Sequence, residues 1–115
     1  MVTVSKVAAY ADMFSAMGTE PRLRILRLLL AAHPEGLVAG AIQSELDIPN
    51  STLSHHLEKL RSEDLVEARR EGTFLWYTAN TGTLQELLGF LFEECCCRTS
   101  AVPRENIVRI QPMRR

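Results

Sequence analysis

At 115 residues the chain is long enough for one domain with a modest core, yet small enough that a partner subunit would help it bury apolar surface. Hydrophobic content of 46% with 23% charged residues is that of an ordinary globular domain, which sets aside a disordered or fibrous chain. A formal net charge of −1 provides no global basic field, so a nucleic-acid surface would have to be a local patch. No repeat, signal-peptide pattern or membrane-length apolar run is visible, which makes a cytoplasmic location and no membrane partner the expectation.

Val4–Met17 carries Val7, Tyr10, Ala11, Phe14 and Met17 at helical spacing, the stripe of an amphipathic helix that Gly18 ends. Thr19 is placed to cap a second helix, with Pro21 in its first turn, where a missing N–H does no harm. In that helix Leu23, Leu26, Leu29 and Leu30 are expected to face inward, and Arg22, Arg24 and Arg27 to face outward, as solvated salt-bridge partners rather than as contacts to a DNA backbone, the other reading open to them. His33-Pro34-Glu35-Gly36 reads as a turn, and Leu37–Leu46 as a short helix in which Gly40 and Ala41 would permit a close helix crossing.

Asp47-Ile48-Pro49 breaks this pattern, and Asn50 or Ser51 is placed to cap a further helix, Asn50–Leu65. There Leu53, Leu57 and Leu60 recur at i, i+4 and i+7, while Ser51, Thr52, Ser54, His55 and Lys59 occupy the other face. His56 lies at the edge of the apolar stripe and reads as a half-buried packing residue, whereas His55 points away. A short helix, a tight break and a helix with a small-polar outer face make a helix-turn-helix, whose second helix enters the DNA major groove N-terminus first. Leu65–Arg70 and Thr73–Thr78 are β-prone runs around Glu71-Gly72, the pattern of a hairpin with Arg69 and Arg70 at its tip, within reach of phosphates. The expected fold class is therefore mainly α with a β-hairpin wing, a winged helix-turn-helix.

Ser54-His55-His56-Leu57, Leu60, Leu65-Val66 and Arg69-Arg70-Glu71-Gly72 resemble the recognition-helix and wing signature of the ArsR/SmtB repressors. Met17–Leu29, with its Pro21-Arg22-Leu23-Arg24-Ile25-Leu26 core, resembles the second helix of the same family. The resemblance covers roughly residues 11–80 by motif. It implies a homodimer paired through the first and last helices, operator DNA as partner, and a ligand-free form that binds the operator and leaves it when loaded. One departure is plain: Val38–Leu46 stands where the family carries a cysteine-bearing metal box, and it holds no ligand.

Asn80-Thr81-Gly82-Thr83 offers caps for a last helix, Leu84–Glu94, striped by Leu84, Leu87, Leu88 and Leu91 and widened by Phe90 and Phe92. So much apolar girth is more than one small domain can cover, which fits the dimer. The chain's 3 cysteines then stand together as Cys95, Cys96 and Cys97. Adjacent cysteines make a strained ring rather than a structural disulfide, and zinc normally takes four ligands. Three thiolates suit a trivalent arsenic or antimony species, soft and pyramidal, while methylated trivalent arsenic needs two. On a continuing helix Cys95 would extend the apolar stripe, and neighbouring residues diverge by about 100°, so the helix must end or unwind near Cys95 for all three sulfurs to meet.

The expected organisation is a winged-helix and dimerisation domain over 1–97 followed by a flexible tail over 98–115, where Ile107, Val108 and Ile110 offer a short docking strand. The expected function is that of a DNA-binding repressor released by arsenite, antimonite or methylarsenite, with no organic cofactor. Two other readings stand beside it: a redox or reactive-sulfur sensor of the same fold, and a thiol metal-binding protein without DNA function. No nucleophile–base constellation or phosphate-cradling glycine loop points to an enzyme.

Overall fold

The order of elements follows from where the chain breaks its own helical periodicity. In a computed structural model, which describes residues 4–95, α1 (Val4–Met17) stops before Gly18 and α2 (Glu20–Ala31) starts two residues beyond that glycine. Thr19 caps α2 as expected, its hydroxyl accepting the Arg22 N–H at 3.4 Å, with Pro21 in the first turn. Beyond α2 the chain turns through Gly36 into β1 (Leu37–Val38), and α3 (Ala39–Leu46) and α4 (Asn50–Ser62) follow. β2 (Val66–Glu71) and β3 (Phe74–Ala79) form the hairpin, and α5 (Thr81–Phe92) closes the described chain. None of these helices is long and apolar enough to cross a membrane. Cys96, Cys97, the tail strand and the boundary at 97/98 lie outside the described residues.

The sheet has three antiparallel strands in the order β1-β3-β2. Residues Leu37–Val38, expected as the start of a helix, instead pair as β1 with Tyr77 and Trp76. Two β-prone residues gain a strand partner, and α3 starts only at Ala39. In the hairpin Val66 faces Ala79 and Glu71 faces Phe74, so Gly72 and Thr73 form the turn, with Gly72 at φ 63°.

One cluster of buried side chains holds α2, α3, α4, the hairpin and α5 together: Ile25, Leu26 and Leu29, Ile42, Leu53, Leu57 and Leu60, Leu65 and Val66, Ala79 and Leu87. Each such aliphatic side chain contributes about 1.5–3 kcal/mol by leaving water. Leu23 and Leu30 are not among them; they are 44% and 41% exposed, and Ile25 takes the inner position. The cause is rotation: Ile25, Leu26 and Leu29 keep the 3–4 spacing of one face, which puts Leu23 and Leu30 about a quarter turn or more off it. Gly40 is exposed with open space around its Cα, so no helix crossing depends on it.

α5 is capped by Asn80, whose side chain accepts the Thr83 N–H at 3.2 Å, and it begins three residues before the expected Leu84 and ends at Phe92 rather than Glu94. Its stripe divides. Leu87 is fully buried, Phe90 stacks on Tyr10 of α1 with ring centroids 4.3 Å apart, and Leu88 and Leu91 stay 42% and 56% exposed.

Candidate nucleic-acid interface

α4 is positioned by its inner face. Leu53, Leu57 and Leu60 are 1%, 3% and 0% exposed, so the helix cannot roll without pulling three leucines into water. Its entry is set by the turn before it. Asp47 adopts the left-handed conformation at φ 55°, and Gln43 of α3 donates its side-chain amide to the Ile48 carbonyl at 3.4 Å. Neither Asn50 nor Ser51 caps α4. Pro49 occupies the cap position in extended conformation, and no side chain there bonds the first N–H groups. The first turn of α4 therefore presents backbone donors with no side-chain cap, next to Ser51, Thr52 and Ser54.

Ser51, Thr52, Ser54, His55 and Lys59 are all exposed, as the spacing predicts. His55 turns outward, while His56 is half-buried with its Nδ1 shut off from water and without a hydrogen-bond partner among the described groups. Burial, then the nearby Arg22 guanidinium, then His55 push the proton affinity of His56 below the ordinary imidazole value.

The two wing arginines part company. Arg69 and Arg70 are successive residues of β2 and so lie on opposite faces of the hairpin. Arg69 is engaged: its Nε donates to Glu71 at 2.9 Å, its NH2 group reaches the Glu35 carbonyl at 3.4 Å, and its guanidinium lies 5.9 Å from the centroid of the Trp76 ring. Arg70 is exposed, opposite Leu75 and two residues from the turn, and makes no ion pair among the described residues. The expectation that both sit at the tip is thus corrected. Arg70 is near it, while Arg69 is held along the strand by Glu71, a partner that i,i+2 spacing on one strand face makes available.

α2 departs from expectation in one further residue. Arg24 is a solvated salt-bridge residue, paired with Glu20 at 2.8 Å. Arg22 is half-buried instead, donating its Nε to the Ala16 carbonyl at the end of α1 beside the back of α4. Its position before the buried Ile25 was the available signal, since three residues back along a helix lies on the same side.

Cys95 lies in the turn after α5, half-buried, with its N–H donated to the Phe92 carbonyl at 3.0 Å. Among the described residues no cluster of three or more His, Cys, Asp or Glu side chains is arranged to hold a metal ion.

A helix held by its leucines, a braced turn before it, a small-polar outward face and an adjoining hairpin define a winged helix-turn-helix DNA-binding protein. A family model described as a helix-turn-helix domain matches residues 17–69. The nodulation protein NolR of Rhizobium meliloti is 33% identical over 99 residues, 86% of this chain and 79% of that one. The arsenical resistance operon repressor of Bacillus subtilis strain 168 is 30% identical over 89 residues, 76% of this chain and 79% of its own. Among solved structures, an ArsR-like transcriptional regulator from Rhodococcus sp. RHA1 superposes with a TM-score of 0.70 at 26% identity, covering 78% of this chain and 82% of that one. The chain belongs to the ArsR-like family of winged helix-turn-helix transcriptional regulators.

Proposed function

We propose that the protein is a homodimeric repressor that holds its operator when empty and releases it when a trivalent arsenic or antimony species binds Cys95, Cys96 and Cys97. The observation that carries this reading is the end of α5. The α-helix ends at Phe92 and Cys95 lies in the turn after it, its N–H on the Phe92 carbonyl, so the regular helix that would turn neighbouring thiols apart does not reach it. The donor set suits the ligand, since three thiolates are soft and a trivalent pnictogen keeps a lone pair where a fourth ligand would sit. α5 also exposes Leu88 and Leu91, and α1 exposes Val7, apolar side chains that a second copy would cover. Ligation at the root of that surface changes the helix end that the dimer uses. A coupling of about 1–3 kcal/mol is enough to shift operator affinity five- to 150-fold.

The test measures operator release by fluorescence anisotropy under reducing conditions, with arsenite, antimonite, methylarsenite, cadmium and peroxide. Cys95→Ser and Cys96→Ser should bind the operator as the parent does and ignore arsenite. Cys97→Ser should lose its response to arsenite more than to methylarsenite, which needs one thiolate fewer. Release of the parent by peroxide but by no thiophilic ion would transfer the site to redox sensing. Leu88→Glu should abolish the dimer in sedimentation and operator binding with it, because an unpaired charge on an apolar seam is costly to bury. A parent sedimenting as a monomer at micromolar concentration would refute the dimeric part.

A further inference from the structure

The recognition helix is seated on more than its leucines, and part of its seat can change charge. His56 stands at the edge of the buried stripe, half-buried, with its Nδ1 closed off from water and without a hydrogen-bond partner. Arg22 of α2 acts on it from nearby, fixed by the bond from its Nε to the Ala16 carbonyl in the last turn of α1. Ala16 is itself part of the core. The end of α1, the start of α2 and the middle of α4 therefore meet around one histidine and one arginine. A polar cleft of about 160 Å³ opens at this junction, where Asp12 and Arg22 face Lys59 and Glu63.

A neutral imidazole can leave Nδ1 as the nitrogen that carries no proton, whereas in an imidazolium both ring nitrogens must donate. The junction offers that second proton no acceptor. Arg22 is a donor only and repels it, and neither Asp12 nor Glu63 bonds Nδ1. His55, the next residue back, adds a further repulsion when charged. α3 and β2 also pack on α4, but their charged residues, Glu45, Glu67, Arg69, Arg70 and Glu71, are all exposed. Burial above all, then Arg22, then His55 keep the His56 ring neutral below its ordinary range.

We propose that Arg22 and His56 form a proton-sensitive seat for the recognition helix, so that α4 reads DNA sequence only while His56 is neutral. The inference rests on DNA binding by α4 and is independent of any ligand at the cysteines. In acid a second cation is set against Arg22 in a half-buried site. Relief requires α4 to roll outward or Arg22 to leave the Ala16 carbonyl, and either changes the angle at which α4 presents Ser51, Thr52 and Ser54. An unseated ring regains the ordinary value of 6.5, so acid biases the helix outward by up to about tenfold per protomer for each pH unit below it. His55 acts in the other direction. It is exposed on the outer face, and its charge in acid strengthens attraction to phosphate without adding sequence information. Two adjacent histidines thus divide the effect of acid, one acting on attraction and the other on specificity.

The experiment uses the full chain under reducing conditions with no metalloid. The probes are a duplex that the parent itself enriches from a random library at about pH 7.5 and a scrambled duplex of the same length. Anisotropy gives the ratio of the two affinities at about pH 7.5 and about pH 5.5. The parent's ratio should fall at least about fivefold in acid, while His56→Gln should hold its ratio within about twofold. His55→Gln should still lose specificity as the parent does. Arg22→Lys keeps the repelling charge and should behave like the parent, whereas Arg22→Gln removes it and should lose less. The parent alone supplies a second measurement, which decides the matter if His56→Gln does not fold. Its His56 ring resonance, assigned by elimination with His33→Gln and His55→Gln, should titrate below 6.5, and the Leu57 and Leu60 amides should lose exchange protection in acid relative to those of Ile25 and Leu29. A parent ratio that does not change, or one that falls equally in His56→Gln, overturns the proposal and leaves DNA binding intact. A His56 ring that titrates at 6.5 or above overturns it as well. A parent that binds no duplex at about pH 7.5 would bring down the DNA-binding reading, and the proposal with it.

Discussion

Gly36 is the residue that sets β1 against β3, and replacing it by alanine separates two costs that glycine usually hides together. Its φ is 84°, a left-handed conformation that costs a residue with a Cβ about 1–2 kcal/mol. A Cβ at this position would also overlap the Tyr77 carbonyl oxygen and come within 2.6 Å of the Thr78 Cγ2. The first of these is backbone of β3 at the residue paired with Leu37, so relief requires the two strands to part. Overpacking of this kind adds about 1–3 kcal/mol. The total for Gly36→Ala is roughly 2–5 kcal/mol, a fall in Tm of roughly 8–20 °C for a domain of this size. Gly72 is the internal control. Its φ is 63°, but nothing lies within 4 Å of an added Cβ, so Gly72→Ala should cost only the conformational part, roughly 4–8 °C. Thermal unfolding by circular dichroism at matched concentration reads both. Equal shifts for the two variants would refute the claim that Gly36 is required by the contact with β3.

The two wing arginines should differ when each is changed to glutamine. Arg70→Gln should weaken binding to any duplex and reduce the salt slope by about one per phosphate contact, whereas Arg69→Gln should change it less, because its guanidinium is already shared with Glu71 and Trp76; anisotropy across a salt series decides between them. His56 should make the fold sensitive to acid. Its folded-state pKa lies below the ordinary 6.5, so the unfolded chain binds the proton more readily, and the full stability present above about pH 6.5 is lost progressively as pH falls below it. His56→Gln should flatten denaturant midpoints between pH 7 and 5 relative to the parent, and an equally steep loss in that variant would assign the effect to other groups.

The helix-turn-helix was legible because its inner face repeats leucine at a spacing that only one secondary structure satisfies. Leu53, Leu57 and Leu60 all lie in the core, and the five polar residues chosen on the outer face are all exposed. The spacing of Asp47-Ile48-Pro49 marked the break but not its chemistry, since a side-chain cap was expected and the chain uses an extended proline instead. Pairing was less visible. Leu37 and Val38 become a strand because Tyr77 and Trp76, forty residues away, offer them a partner. The second helix misled in another way. Six of its twelve residues are leucine or isoleucine if Leu23 and Leu30 are counted, and a helix so rich in apolar residues does not by itself declare which side is inner. The hairpin pattern puts Arg69 at the tip, within reach of phosphates, and only the strand geometry reveals Glu71 beside it.

What distinguishes a reading helix from a solvated one is where its polar groups are already committed, and α4 is divided in this respect along its length. In its C-terminal half Arg61 is 3.5 Å from Glu58, and the Ser62 hydroxyl donates to the Lys59 carbonyl at 2.9 Å, so those side chains serve the helix itself. In its N-terminal half Ser51, Thr52 and Ser54 make no side-chain hydrogen bond within the described structure, and the first backbone N–H groups have no side-chain cap. Serine and threonine at the start of a helix ordinarily turn back to satisfy those groups. Here the proline at the cap position removes that option from the residue best placed to take it. The uncommitted donors and acceptors are therefore concentrated in the first turn and a half, where a helix in the major groove meets base edges. Lys59 and Arg70 provide free charge farther along the helix and on the wing. Neutral hydrogen-bonding groups thus lie at the leading end of the helix, and the exposed cations are set back from it.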